Sequence, residues 1–317
     1  QGFSPGASTG PSLPPLPFPA RPQDEISHFN QRERDRWMQA RAAAVSAGAR
    51  VLDVGAGTCP YRELFAHCDY RTHDFKQYEG VKLGDTHEYG HIDYVSDVAH
   101  IPAPDESFDL ILCTEVLEHV PEPIAALREM TRLLRPGGRL LVTAPLASGL
   151  HQLPFHFYGG YTPGWYQHFG ARCGLHVREI TPNGGFFRHL AQECARVSWT
   201  LPEHAHLHGA NLGFVQQLFG HWLPQYLFGL EDGHMAPQFT IGYHVEAVKS
   251  RDANTVQRLI DETPCDLALY VEAALACLEG GDKPRALRFY EDACELDAQH
   301  PDLGHLHAYY QITGEAK

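Results

Sequence analysis

Close cysteine pairs, clusters of basic residues and unbroken apolar runs are all scarce in this 317-residue sequence. Its eight cysteines, at 59, 68, 113, 173, 194, 265, 277 and 294, form no C-x-x-C pair and do not crowd a small loop-rich segment. This excludes a zinc ribbon and a disulfide framework, and predicts reduced, mostly buried thiols in a cytoplasmic protein. Lys and Arg number 25 against 39 Asp and Glu, a formal net charge of −14. So few cations exclude nucleic acid, and an anionic membrane surface, as the main partner. No basic segment followed by an apolar one opens the chain, so no signal peptide is expected. The uncharged stretch 211–230 is broken by Gln216, Gln217, His221 and Pro224, which argues against a membrane span.

The acidic residues that are present are unevenly placed. Beyond residue 250 stand 13 acids and 6 bases, which marks a compositional boundary there. Residues 1–22 carry seven prolines among Gly and Ser and read as a disordered arm. A helical stretch over 24–47 leads into alternating strands and helices. Strands are expected at 50–54, 69–74, 92–96, 108–113, 140–143, 175–180 and 239–249. Pro60 reads as the first residue of one helix, 123–135 as a second stopped by Gly137 and Gly138, and Thr162-Pro163 as the cap and start of a third ending near Gly174. Seven strands with helical crossovers predict an α/β, Rossmann-like, doubly wound sheet over 23–250. The segment 182–237, rich in aromatic residues, is a helical insertion before the last strand. Residues 251–317 form a small α-helical extension.

Sheets of this kind bind ligands beyond the carboxyl ends of their strands. In Val51-Leu52-Asp53-Val54-Gly55-Ala56-Gly57-Thr58-Cys59-Pro60, two glycines follow a buried strand directly, so a ligand can touch the backbone of a tight turn. Asp74 ends the next strand, where a carboxylate can accept both hydroxyls of a ribose. A dinucleotide fingerprint requires a third glycine near position 60, where this chain has proline, and that counts against a nicotinamide-dependent oxidoreductase. These residues resemble the class I S-adenosylmethionine-dependent methyltransferases of type 11. The likeness continues in order through Asp74, Ser96-Asp97-Val98, Phe108–Ile111, Glu115–Val120 and Leu134–Leu140, and covers about 45–250. Cys59 departs from the family pattern, standing where a third glycine is often found.

The resemblance implies S-adenosylmethionine as cofactor, with Gly55 and Gly57 beside its methionine moiety, Asp74 on the ribose and Asp97 on the adenine amino group. The backbone at Cys113 and Thr114 would meet its amino group. Asp53, Ala56, Phe75 and Val98 complete the expected cofactor contacts. The loop after the fifth strand carries His151, His156, Tyr158 and Tyr161, expected to contact substrate, and it resembles that of type 11 enzymes in bacterial surface-glycan gene sets. An imidazole titrates near neutral pH, so His151 and His119 are the candidates for base or acceptor anchor. No metal site is expected. The run Glu203-His204-Ala205-His206-Leu207-His208 has no convergent carboxylate or thiol beside it. Residues 267–300 resemble one tetratricopeptide-like repeat, with Tyr270, Ala274, Gly281, Ala286, Tyr290 and Ala293 in the characteristic places. One repeat cannot bury its own face, so it is expected to pack on the main domain, a second copy or a partner protein.

The expected function is methyl transfer to a small-molecule or sugar-containing acceptor, with oxygen preferred over nitrogen. A non-catalytic cofactor-binding, partner-docking protein and a nicotinamide-dependent oxidoreductase are the alternatives.

Overall fold

The computed structural model describes residues 13–78, 89–204, 206, 211–230, 237–251, 256–257, 260–261, 263–300, 303–304 and 306–307. Helices α1 (Gln23–Ser27) and α2 (Phe29–Ala42) precede β1 (Arg50–Val54), β2 (Asp69–Asp74), β3 (Tyr94–Val95) and β4 (Phe108–Thr114). Then come α3 (Pro123–Leu133), β5 (Leu134–Pro145), α4 (Pro163–Arg172) and β6 (Leu175–Pro182). Helices α5 (Phe186–Thr200), α6 (Leu212–Gln217) and α7 (Leu223–Phe228) lead to β7 (Gly242–Lys249), and α8 (Leu267–Glu279) and α9 (Lys283–Asp297) follow. The strands form one seven-stranded sheet in the order β3-β2-β1-β4-β5-β7-β6. β1 to β5 pair in parallel, and β7 runs antiparallel to β5. Strand order reverses between β1 and β4, the place at which an open sheet leaves a crevice for a ligand.

The chain divides into two compact units, one of 37–181 with 242–317 and another of 1–36 with 182–241. In the first, Leu52, Ile111, Leu140 and Val245 from the sheet pack with Leu127 and Met130 of α3. These apolar side chains recur every three or four residues along α3, and their burial fixes its inner face. The helix ends at Leu133, short of the expected 135. Gly137 and Gly138 lie within β5 and do not stop α3. Leu134 pairs with Phe108 and Arg139 with Leu110, so Arg135–Gly138 bulge opposite Asp109, with Gly137 at φ +75°. Thr162 caps α4 as expected, its hydroxyl accepting from Trp165 N at 3.3 Å.

Three other expectations change. The single helix expected over 24–47 is two helices, broken at His28. The third strand shrinks to Tyr94–Val95. Pro60 opens no α-helix, and Arg62–Phe65 make only one short 3₁₀ turn.

In the second unit, Ile26, Phe29, Ala191, Cys194, Leu227 and Phe228 form a separate core. Residues 13–22 of the Pro-rich segment are held there, contrary to the expectation of disorder. Arg21 N donates to Gln225 Oε1 at 2.8 Å, Gln225 Nε2 donates back to Arg21 O at 2.6 Å, and Phe18 stacks on Tyr226. Residues 1–12 lie outside the described residues. In the C-terminal extension, Gly281 at φ +77° and the cap Asp282 join α8 to α9. Ala273, Ala274, Ala286 and Ala293 are small enough to let these helices approach and bury a core with Leu275 and Phe289. Arg251, just after β7, donates to the buried Glu272 of α8 through its backbone N and its guanidinium. No described helix is long and apolar enough to cross a membrane.

Candidate functional site

A cavity of about 320 Å³ opens where β1, β2 and β4 end. β1 arrives through the buried Val51, Leu52 and Val54, and the chain then turns sharply. Gly55, Gly57 and Cys59 all adopt left-handed backbone, with φ at +66°, +53° and +60°. A Cβ on Gly55 would lie 2.4 Å from Val116 Cγ2, so only glycine lets the turn close against the segment after β4. Cys59, where the family pattern often has glycine, adopts the unfavourable conformation with a side chain, and its N–H is held by Ala56 O at 2.7 Å.

Asp74 draws the turn and the end of β2 together. Its Oδ2 accepts from Gly57 N at 3.0 Å and its Oδ1 from Lys76 N at 2.9 Å, and the carboxylate faces the cavity. Each oxygen keeps acceptor capacity for a ligand hydroxyl, because a carboxylate offers about four lone-pair directions. Asp97 follows β3, with Oδ1 bonded to Ala99 N at 2.8 Å. Val98 and Phe75 supply apolar wall, and Phe75 stands edge-on to Phe155 at 5.0 Å.

His119 also lines the cavity, on the short turn Leu117–His119. Its Nδ1 lies 2.7 Å from Phe155 O. A carbonyl can only accept, so Nδ1 carries the proton and Nε2 keeps its lone pair. Burial pushes the His119 pKa down to about 4, so the ring is neutral near pH 7. Glu118 is buried beside it, with Oε1 3.8 Å from His119 Nε2. His151 and His156 come from the loop after β5, with ring centroids 4.8 and 5.8 Å from that of His119. His151 Nδ1 meets Gly149 O at 2.9 Å, and His156 Nε2 lies 3.2 Å from Ser148 Oγ.

Of the residues singled out in the sequence, Gly55, Gly57, Asp74, Phe75, Asp97, Val98 and His119 line this one cavity. Four other expected cofactor contacts do not line the cavity. Asp53 is buried under the turn and accepts from Tyr70 Oη, and burial pushes its carboxyl up to about 7. Ala56 is buried with its N–H on His73 O, and Cys113 is wholly buried within β4. Thr114 ends that strand without facing the cavity. Tyr161 is a core residue, with Oη donating to Leu117 O at 2.6 Å, and Tyr158 Oη donates to Pro121 O at 2.9 Å. Neither lines the cavity, because both hydroxyls reach back to the backbone around the His119 turn.

Sequence reasoning missed the lining residues His73, Gln77, Tyr89, Glu115, Val116 and Phe155. Glu115 is held by its backbone N on Thr143 O and by Thr143 Oγ1 donating to its Oε1 at 2.8 Å. The Glu115–Val120 segment marks the region, but only the pairing of β4 with β5 shows which side chains face inward. Of the His204–His208 run, Ala205, Leu207 and His208 lie outside the described residues.

Residues 52–142, from β1 into β5, match the family model described as "Methyltransferase domain". A ubiquinone biosynthesis O-methyltransferase of Xanthomonas oryzae pv. oryzae is 40% identical over 103 residues, 31% of this chain and 43% of that protein. One of Xanthomonas campestris pv. campestris is 33% identical over 153 residues, covering 38% of this chain and 64% of that protein. The chain thus spans between about two fifths and two thirds of the curated relatives it matches. A solved S-adenosylmethionine-dependent methyltransferase from Mesorhizobium loti aligns with 67% of this chain and 97% of its own, at 18% identity and a TM-score of 0.37.

Proposed function

We propose that this chain is an S-adenosylmethionine-dependent methyltransferase that methylates a hydroxyl oxygen of a small molecule. One observation carries the reading: a glycine floor, a ribose-placed carboxylate and a neutral imidazole line a single cavity of about 320 Å³, within the range of small-ligand sites. The residues fit the cofactor. The turn at Gly55 is a cradle that a Cβ would fill, and Asp74 has acceptor capacity left for a diol. Asp97 is placed to accept from an exocyclic amine, and Val98 and Phe75 offer apolar wall to a base.

S-adenosylmethionine supplies an electrophilic methyl group on a sulfonium, so the protein's main task is to hold an acceptor oxygen in line with it. Gly55, Gly57 and Asp74 fix the donor end. His119, with Nδ1–H locked on Phe155 O, presents the Nε2 lone pair at the acceptor end, where it can accept a hydrogen bond or a proton from a hydroxyl. The preference for oxygen also agrees with the names of the relatives. A small-molecule acceptor suits a cavity of about 320 Å³ better than a glycan polymer.

A dinucleotide is disfavoured on a local feature. Pyrophosphate sites use the N-terminus of a full helix, and the turn after Cys59 runs into only four residues of 3₁₀ structure. The reading is tested by incubating the protein with S-adenosylmethionine labelled on the methyl group and a panel of phenols, catechols and hydroxylated sugars. Label incorporation into a hydroxyl compound, blocked by S-adenosylhomocysteine, is the expected result. No transfer to any acceptor by protein that binds the cofactor would favour a binding role without turnover.

A further inference from the structure

We propose that Glu118, His119 and His151 form a binding site for a divalent first-row transition-metal ion beside the cavity, which His119 alone of the three lines. One donor atom from each residue lies within 4.8 Å of the other two. Glu118 and His119 are neighbours on the turn after β4. His151 comes from the loop after β5, and the pairing of those two strands brings them together.

The hydrogen bonds around the imidazoles favour ligation. Both rings direct Nδ1 at a backbone carbonyl, His119 at Phe155 O (2.7 Å) and His151 at Gly149 O (2.9 Å). These acceptors require hydrogen on Nδ1, which leaves Nε2 as the lone pair of each ring. A carbonyl on the far nitrogen is the usual outer support of a metal-bound histidine, because it fixes the tautomer and orients the ring. The third donor is a carboxylate only 1% exposed. Its Oε1 lies 3.8 Å from His119 Nε2, on the side of the ring that keeps the lone pair. His156 stands beside the group, its ring 4.5 Å from His151.

The donor set also points to the ion. Two imidazoles and one carboxylate suit Zn²⁺, Co²⁺ or Mn²⁺ better than Mg²⁺ or Ca²⁺, which favour oxygen alone. Ligands about 2.0–2.2 Å from a tetrahedral ion lie about 3.4 Å apart, so the three atoms must close in by roughly 1 Å. The loop carrying His151 has room to move: Leu150 and Leu153 are 77% and 62% exposed, and a Cβ on Gly149 would meet nothing within 4 Å. Three protein ligands leave a fourth position open, as in catalytic zinc sites.

The site's role rests on the methyl-transfer reading; its existence does not. With the ion bound, His119 Nε2 would serve as a ligand in place of a base, and an acceptor hydroxyl at the open position would become more acidic. Its proton would leave to solvent as the O–C bond forms and the S–C bond of the donor breaks.

The test uses the full chain, stripped with chelator and titrated with Co²⁺ and Zn²⁺, by calorimetry and by the visible d–d absorption of Co²⁺. One ion per chain is expected, with affinity falling at least tenfold in His151→Ala and in Glu118→Gln. His204→Ala should bind as the unmodified protein does. His151→Ala exchanges a loop side chain and serves where Glu118→Gln fails to fold. Unchanged binding in His151→Ala, or no one-to-one binding at all, overturns the proposal. S-adenosylhomocysteine is titrated in parallel. If it binds and the metal does not, only the metal site fails. If the metal binds and S-adenosylhomocysteine does not, the methyltransferase reading fails instead.

Discussion

Gly55→Ala perturbs the turn after β1 with one methyl group. Two penalties follow from the geometry. At φ +66° a residue with a Cβ loses about 1–2 kcal/mol relative to glycine. The new Cβ would also lie 2.4 Å from Val116 Cγ2 and 3.0 Å from Cγ1, overpacking of a kind that costs about 1–3 kcal/mol. Val116 lines the cavity, so relief by moving it narrows the site. Gly55→Ala should therefore lower the melting temperature and weaken S-adenosylhomocysteine binding at least tenfold by calorimetry. The second penalty can be removed separately. With Val116→Ala only the Cβ at 3.3 Å remains, a tight but tolerable contact. The double variant should recover about 1–3 kcal/mol of the single variant's loss and keep the backbone penalty, a favourable coupling in a double-mutant cycle. Strict additivity of the two substitutions, or unchanged binding in Gly55→Ala, would refute the claim that this close approach shapes the site.

Three other outcomes are expected. Asp74→Asn removes a carboxylate that orders the turn through Gly57 and Lys76, and hydrogen bonds to a charged group are worth about 1.5–3 kcal/mol each. Calorimetry should show S-adenosylhomocysteine affinity falling ten- to a hundredfold, with the fold kept by circular dichroism. Burial raises the Asp53 carboxyl from 3.8 to about 7, so the folded state binds the proton more tightly than the unfolded one. Its stabilising effect is then full below about pH 4 and lost as pH rises through 7, a change of up to about 4 kcal/mol. Asp53→Asn, with urea melts at pH 5 and pH 8, should flatten that slope and stabilise the protein at pH 8; an unchanged slope would place its origin elsewhere. Tyr161→Phe breaks a bond to Leu117 O, which still accepts from Val120 N at 3.2 Å. It should cost about 1 kcal/mol of stability and leave KM for the acceptor unaltered, whereas a raised KM would restore Tyr161 as a substrate contact.

The glycine turn and the acid beside it in the cavity were legible because they are local. A buried strand, two glycines and an acid at the end of the next strand are consecutive features, and their geometry follows from the strand-turn context alone. Single side chains were harder to place. Cys113 and Thr114 sit in the right strand, but the two faces of β4 and its neighbours decide what reaches the cavity. Pro60 and Gly137-Gly138 misled for a related reason. Both are helix signals when read along the chain, and the sheet's need for a tight turn and a bulge overrode them. Glu118, His119 and His151 form no motif, because more than 30 residues separate the last two, and only strand pairing brings them together. The Pro-rich segment read as free because composition does not reveal that Gln225 bonds both the N–H and the C=O of Arg21.

The proposed function depends on the cavity below Gly55 and Asp74 being built for S-adenosylmethionine. Calorimetric titration of the full chain with S-adenosylhomocysteine tests this most directly. One site per chain, weakened at least tenfold by Asp74→Asn and with no heat from NAD, is the predicted result. Binding of NAD in place of S-adenosylhomocysteine, or no binding of either by folded protein, would contradict it.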